Sequence, residues 1–177
     1  MERNQFRITL LLVVAVALLV VFVCTAAPIK VGPRISNEVR SLAGLDELDV
    51  MVFVRSKVLE KSKYSGERVK QKIISMLAAS GINVVDGSDG PVLQVVILSE
   101  INSEFPELVA YTCHITLEQE VVVKRLQQTL AVPTYSLVHV DITSADRVEE
   151  DLENFVPDIV RHFIERVKLA TNIRNRS

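Results

Sequence analysis

Two histidines and one aspartate are the residues of this sequence whose types and spacing could do chemistry. His114 lies in an alternating apolar and polar run, and His139 and Asp141 lie in the run that follows it. If the two runs pair as antiparallel strands with their apolar phases on a shared face, a tight turn at Leu126 and Gln127 sets His114 opposite His139. Two imidazoles about 5 Å apart at Cβ beside a carboxylate could hold a divalent metal or serve a metal-dependent hydrolase. The alternative interpretation is two surface histidines on a solvated sheet face.

Other catalytic signatures are missing from the sequence. It contains no GxGxxG, no phosphate-binding GxxxxGK[ST], no GxSxG, no HExxH and no CxxC. Cys113 falls on the apolar phase of its strand, which predicts a buried structural thiol rather than a nucleophile. The sequence therefore predicts a protein that is not an enzyme and binds no cofactor.

The outward face of the same sheet is more apolar than a wet surface requires. In the register above, Tyr135 and Leu137 point outward beside Thr116 and Glu118. Such a face could dock a partner, and an edge strand there could accept an added strand. These four residues form the predicted binding surface.

The first half of the soluble chain contains strands and one helix. The Val-rich run from Leu48 to Arg55 predicts a buried strand, and Ser65 is a suitable N-cap for a helix that ends at Gly81. A short strand at Ile82–Val85 and a turn follow, and Val92–Ile101 predicts a third strand. This order brings a helix between the first two strands.

The second half is predicted as a hairpin and a closing helix. Strict alternation predicts a strand over Val109–Leu117, and Thr129–Thr143 returns with three inward apolar residues, Val138, Val140 and Ile142. Pro133 indicates an edge or a bulge. The segment Thr143–Asp146 resembles a helix cap, and Pro157 must kink or divide the helix that follows. The predicted fold is α+β: one antiparallel, or mixed, sheet of about five strands with two helices on one face, preceded by an N-terminal hydrophobic helix.

Composition separates an apolar segment from an ordinary domain. The formal net charge of −2 argues against nucleic-acid binding. The chain is 49% hydrophobic, and no charge interrupts the 22 residues from Ile8 to Ile29. This run predicts a signal anchor or a cleaved signal peptide, with lipidation at Cys24 as a further alternative. The predicted membrane-anchor residues are Ile8, Leu12, Val16, Leu19 and Val23.

The domain boundaries follow from this division. Residues 1–29 are the predicted signal segment, 30–44 a linker, 45–172 the α+β domain and 173–177 a tail. A short N-terminal tail before the apolar run favours a domain outside the cytoplasm.

Three short motifs carry a resemblance. They are Gly81–Val85, Tyr111–Gln119 and Phe163-Ile164. With the order of elements around them, they resemble a group of small bacterial exported proteins and, more distantly, are similar to the N-terminal domain of TolB and to auxiliary lipoproteins of envelope lipid transporters. The resemblance implies an envelope location and a binding or assembly role, and it carries over no catalytic residue.

The sequence thus predicts a non-enzymatic, membrane-tethered binding or assembly module of the bacterial envelope. Its expected partners are the inner membrane, crossed once, and a protein of the envelope, with the domain in the periplasm or outside the cell. Cleavage of the signal would instead release the domain. Two other functions stay open, an accessory subunit bound through its anchor to a larger membrane complex, and the hydrolase described above.

Overall fold

One five-stranded mixed sheet and three helices make up the described chain, which confirms the α+β prediction. The computed structural model describes residues 35–59, 64–101 and 103–176. The elements are α1 Asn37–Ser41, β1 Glu47–Ser56, α2 Gly66–Ala79, β2 Asn83–Val84, β3 Val92–Ile101, β4 Leu108–Val123, β5 Gln128–Ser144 and α3 Val148–Arg174. The strand order is β2-β1-β3-β4-β5, so β5 is an edge strand.

The sheet is mixed because a helix follows β1 and returns the chain to the same end of the sheet before β2. β1 pairs in parallel with both β2 and β3, whereas β3, β4 and β5 pair antiparallel. A parallel pair needs a crossover, and α2 supplies it. The Ser65 hydroxyl accepts the Arg68 N–H at 3.2 Å, which confirms the predicted N-cap. Gly81 follows the helix with φ of +88°, a conformation that favours glycine.

The hydrophobic core lies between one face of the sheet, here called the inner face, and the helices. Alternate residues of each central strand are buried there, among them Leu48, Leu93 and Ile115. α3 buries Leu152, Val156, Val160, Phe163 and Val167 against them. Because these residues recur every three or four positions, one stripe of the helix faces the sheet.

A short helix lies in the segment predicted to be a linker. The Ser36 hydroxyl accepts the Val39 N–H at 3.2 Å, which caps α1. Val39 and Leu42 are both buried in the core. From Ile35 onward, the predicted linker 30–44 therefore contributes to the packed domain.

The closing helix begins later than predicted and continues through its proline. Thr143 and Ser144 end β5, and α3 begins after Arg147 with no side-chain cap, so the predicted cap at Thr143–Asp146 is wrong. The Arg147 N–H instead donates to the Ser144 carbonyl in a turn. Pro157 lies inside one continuous helix, so the helix is not divided.

Candidate binding surface

An extra residue in β5 decides which side chains reach each face of the sheet. Leu117 pairs with Tyr135, but Glu118 pairs with Pro133, so Thr134 is left over in a bulge. The Thr134 hydroxyl donates to Gln119 Oε1 at 2.6 Å and lies 3.3 Å from the Leu117 carbonyl oxygen. One extra residue reverses the phase of every residue beyond it. The bulge predicted from Pro133 is confirmed, and so is the edge position of the strand.

The bulge places the two histidines on opposite faces of the sheet. His114 pairs with Val138, and His139 pairs with Cys113 on the other face. The predicted opposition of His114 and His139 is therefore wrong for two reasons. At the hairpin tip Val123 pairs with Gln128 rather than with Leu130, as the predicted tight turn requires, and the bulge then reverses the phase beyond Leu117. Among the residues that the structure describes, no group of three or more His, Cys, Asp or Glu could hold a metal ion.

The face away from the helices, here called the outer face, carries an exposed apolar band. Val138, Val140 and Ile142 are 54%, 67% and 64% exposed, although the sequence predicted them to point inward. Phe53 on β1 is 53% exposed and lies in the same cross-strand row as Val138. Leu98 of β3 lies in the next row with Val140, and both residues line a shallow concavity of about 390 Å³. The apolar band is defined as Phe53, Leu98, Val138, Val140 and Ile142.

A polar cluster on β4 interrupts the apolar band. His114 Nε2 lies 2.9 Å from the Ser136 Oγ and 3.0 Å from the Thr116 Oγ1. Thr112 donates from its hydroxyl to the His139 carbonyl oxygen at 2.9 Å. These bonds pair the hydroxyls of Thr112, Thr116 and Ser136 within the sheet itself, beside the exposed apolar side chains of β5.

His139 and Asp141 lie together on the inner side of β5, as neighbours at alternate positions must. The His139 ring stacks on Phe155 with a centroid distance of 3.7 Å, and its Nε2 lies 3.8 Å from Asp141 Oδ2. Desolvation, and then the nearby Asp141 carboxylate, raise the pKa of Tyr111. This half-buried cluster braces the edge of β5 against α3.

The predicted binding surface is only partly at the surface. Tyr135 is 5% exposed and packs edge-to-face on Phe163 at 5.3 Å, and Leu137 is half-buried against the core. Their outward placement was wrong for the same reason as the histidine pair. Thr116 and Glu118 do lie on the outer face, partly exposed. Val138, Val140 and Ile142 take the outer positions that were predicted for Tyr135 and Leu137. Pro133 was the sequence signal for the bulge, but it did not show that the bulge would exchange the two faces of β5.

Cys113 is buried, as predicted for a structural thiol. Its burial raises the pKa of the thiol to about 12. A buried thiol that keeps its proton is a poor nucleophile, in accord with a structural role.

The predicted anchor residues Ile8, Leu12, Val16, Leu19 and Val23 lie outside the described residues. Within the described ranges, none of the helices combines the length and the apolar character that crossing a bilayer requires.

Comparison with known proteins finds similarity among solved structures. No protein-family model matches the chain, and no curated protein matches it in sequence. Among solved structures, a minor lipoprotein from Acinetobacter baumannii is similar at 16% identity, covering 76% of this chain and 91% of that chain, with a TM-score of 0.33. The resemblance to TolB and to the transporter lipoproteins stays a prediction.

Proposed function

We propose that this protein is a non-enzymatic binding or assembly module that docks a partner protein on the outer face of its sheet. The apolar band is the observation that carries this proposal. A sheet with one wet face normally alternates apolar inward and polar outward. Here β5 presents its valines and isoleucine to solvent and keeps His139, Asp141 and Thr143 on its inner side.

The apolar band offers several large apolar side chains that a partner could bury. Full burial of one large apolar side chain contributes roughly 1.5–3 kcal/mol. Val138, Val140 and Ile142 are exposed at alternate positions of β5, and Phe53 and Leu98 lie across the polar residues of β4. Exposed apolar surface rimmed by polar residues is typical of interaction sites. The cluster around His114 would enter such an interface with its Nε2 and the Ser136 and Thr116 hydroxyls already hydrogen-bonded to one another.

The location of the module is also a proposal, and the apolar segment 8–29 supports it. If this segment crosses a bilayer, the five residues 30–34 span at most about 18 Å when fully extended. The domain would then work close to the membrane surface of the bacterial envelope. A partner anchored in the same membrane fits this arrangement.

The test is site-specific photo-crosslinking on the full chain in its native membrane. A photo-reactive amino acid at Val140 should yield one adduct of defined mass, whereas the same probe at Leu169, an exposed apolar residue of α3, should yield none. The variant Ile142→Ser should reduce the Val140 adduct by about tenfold or more, because a polar group would be desolvated at the interface. Equal adducts at both positions, or none at Val140, would contradict the proposal.

A further inference from the structure

The edge of β5 that does not pair with β4 carries backbone N–H and C=O groups that point away from the sheet. In an antiparallel pair, alternate residues direct both N–H and C=O toward the partner strand, and the others direct them away. The Ala145 N–H donates to the Glu107 carbonyl, which fixes the odd-numbered residues between Tyr135 and Thr143 as those that face β4. Ser136, Val138, Val140 and Ile142 therefore direct their backbone groups away from the sheet.

Side chains already occupy both ends of this edge. The Ser136 N–H donates to Glu38 Oε1 at 3.0 Å, and the Ile142 N–H donates to Asp141 Oδ1 at 2.8 Å. Between them, the N–H and C=O groups of Val138 and Val140 have no partner among the residues that the structure describes. We call Val138–Val140 the edge window.

We propose that the partner adds an extended strand along the edge window, with apolar side chains beside Val138 and Val140 and a basic residue at each end. This inference rests on the proposed function and names the chemistry of its partner. The backbone groups of two edge residues would gain hydrogen bonds, while the alternate side chains of the new strand would extend the apolar band. The free backbone groups and the exposed side chains both belong to Val138 and Val140, so one added strand could form the hydrogen bonds and the apolar contacts together.

Charge complementarity argues for the basic ends. Glu38 and Asp141 are exposed carboxylates that accept the N–H groups of Ser136 and Ile142 on the edge of β5. These two N–H groups are six residues apart, about 20 Å along a strand. Two carboxylates of α3 have ion-pair partners on their own helix or its cap, Asp151 with Arg147 at 3.6 Å and Asp158 with Arg161 at 2.6 Å, whereas Asp141 Oδ2 lies 3.8 Å from the His139 ring. Opposite charges across an interface favour one partner and one register over others.

A second copy of this chain fits the edge less well. If Val138 of one copy pairs antiparallel with Val140 of the other, Ser136 faces Ile142 of the second copy. Glu38 then lies beside Asp141 of the other copy, and like charges across a strand pair are destabilising. The same two carboxylates that attract a basic strand therefore oppose self-pairing.

The first test measures binding of two labelled peptides to the full chain in detergent micelles by fluorescence anisotropy. Both peptides alternate valine and threonine, and one carries lysine at each end where the other carries glutamate. At low salt the lysine peptide should bind about tenfold more tightly, and the difference should shrink in about 0.5 M salt because screening weakens exposed charge pairs. Glu38→Gln and Asp141→Asn retain an oxygen acceptor for each amide, and together they should remove most of the difference.

The second test separates strand addition from docking on the face alone. Val140→Pro removes an edge N–H and keeps an apolar side chain, whereas Val140→Thr keeps the N–H and makes the side chain polar. Strand addition predicts that Val140→Pro weakens binding of the lysine peptide about tenfold and more than Val140→Thr does. Unfolding curves establish that both variants are folded, and the two carboxamide variants give the answer if Val140→Pro is not.

Several outcomes would overturn the strand-addition proposal. They are absence of binding by the lysine peptide, equal binding of both peptides, and a loss on Val140→Thr with none on Val140→Pro. The last of these leaves docking on the apolar band intact. Light scattering that showed a dimer broken by Val140→Pro would also overturn it and would assign the edge to a second copy.

Discussion

Burial of the Cys113 thiol on the inner face raises its pKa from an ordinary value of about 9 to about 12. In the unfolded chain the thiol ionises once the pH exceeds about 9, whereas the folded chain retains the proton until about pH 12. The contribution of this group to the free energy of unfolding is therefore complete below pH 9 and is lost as the pH rises toward 12. Burial also raises the pKa of Tyr111 and that of Tyr135.

The variant Cys113→Val isolates this contribution, because valine has a similar volume and no proton to lose. Between about pH 9 and 10.5, the free energy of unfolding of the parent chain should fall more steeply than that of the variant. The difference approaches about 1.4 kcal/mol for each pH unit. Urea denaturation at several pH values measures both slopes, and parallel slopes would show that Cys113 is not desolvated in the native state.

At the scale of elements, one residue in β5 determines the character of both faces. With Thr134 in the bulge, Tyr135 packs on Phe163 in the core, and Val140 lies in the exposed apolar band. Without it, the register of the hairpin tip would continue and would exchange these positions. A bulge at an edge strand also increases twist and limits pairing with other sheets.

Deleting Thr134 should therefore destabilise the protein far more than replacing it. Thr134→Ala keeps the bulge and loses a side-chain hydrogen bond, a cost of about 1 kcal/mol. The deletion forces either the core residues of β5 outward or the hairpin tip out of register, and we expect a loss of several kcal/mol or of cooperative unfolding. Denaturation of the two variants by urea compares them, and equal stabilities would contradict this role of the bulge.

The sequence predicted β4 correctly and β5 incorrectly for the same reason. In β4, Val109 to Leu117 alternate with polar residues, and the more apolar phase is the buried one. In β5, Val138, Val140 and Ile142 are the more apolar phase but lie on the uncovered outer face. An interpretation of hydrophobic alternation assumes that the more apolar phase of a strand faces the core, so it fails where the more apolar phase is exposed.

The elements whose signals are local were predicted well. The cap at Ser65, the terminating Gly81 and the strand Val92–Ile101 agree with the structure, because each depends on neighbouring residues alone. The parallel pairing of β1 with β3 could not be predicted from alternation, since both strand directions present the same side-chain pattern.

At the scale of the whole molecule, α1 joins the start of the described chain to the edge strand. Leu42 is fully buried in the core, and the Ser41 hydroxyl donates to the Thr134 carbonyl at 3.2 Å. Through Glu38 and Ser41, the same short helix covers one end of the β5 edge. α1 therefore both completes the core and limits how far a partner strand could extend.

Truncation of Leu42 tests this integration. Leu42→Ala should lower the free energy of unfolding by about 2–5 kcal/mol, because it leaves a cavity in a packed core. Leu169→Ala, at an exposed position of α3, should change it by no more than about 0.5 kcal/mol. Thermal or urea unfolding provides both values, and a small effect at Leu42 would mean that α1 is not part of the cooperative unit.

The pairing of strands also has a consequence for the order of folding. β4 and β5 are joined by the residues 124–127, whereas β1 reaches β3 across a separation of 43 residues between Ser56 and Ser99. Because closing a short loop costs less entropy than closing a long one, we expect the hairpin to form early and the parallel pair to form late. The edge that we propose as a binding site is thus present on a half-folded chain, at a stage when it could capture the wrong strand. Glu38 occupies the Ser136 N–H only after α1 has docked, so we expect this edge to be most prone to aggregation before α1 packs.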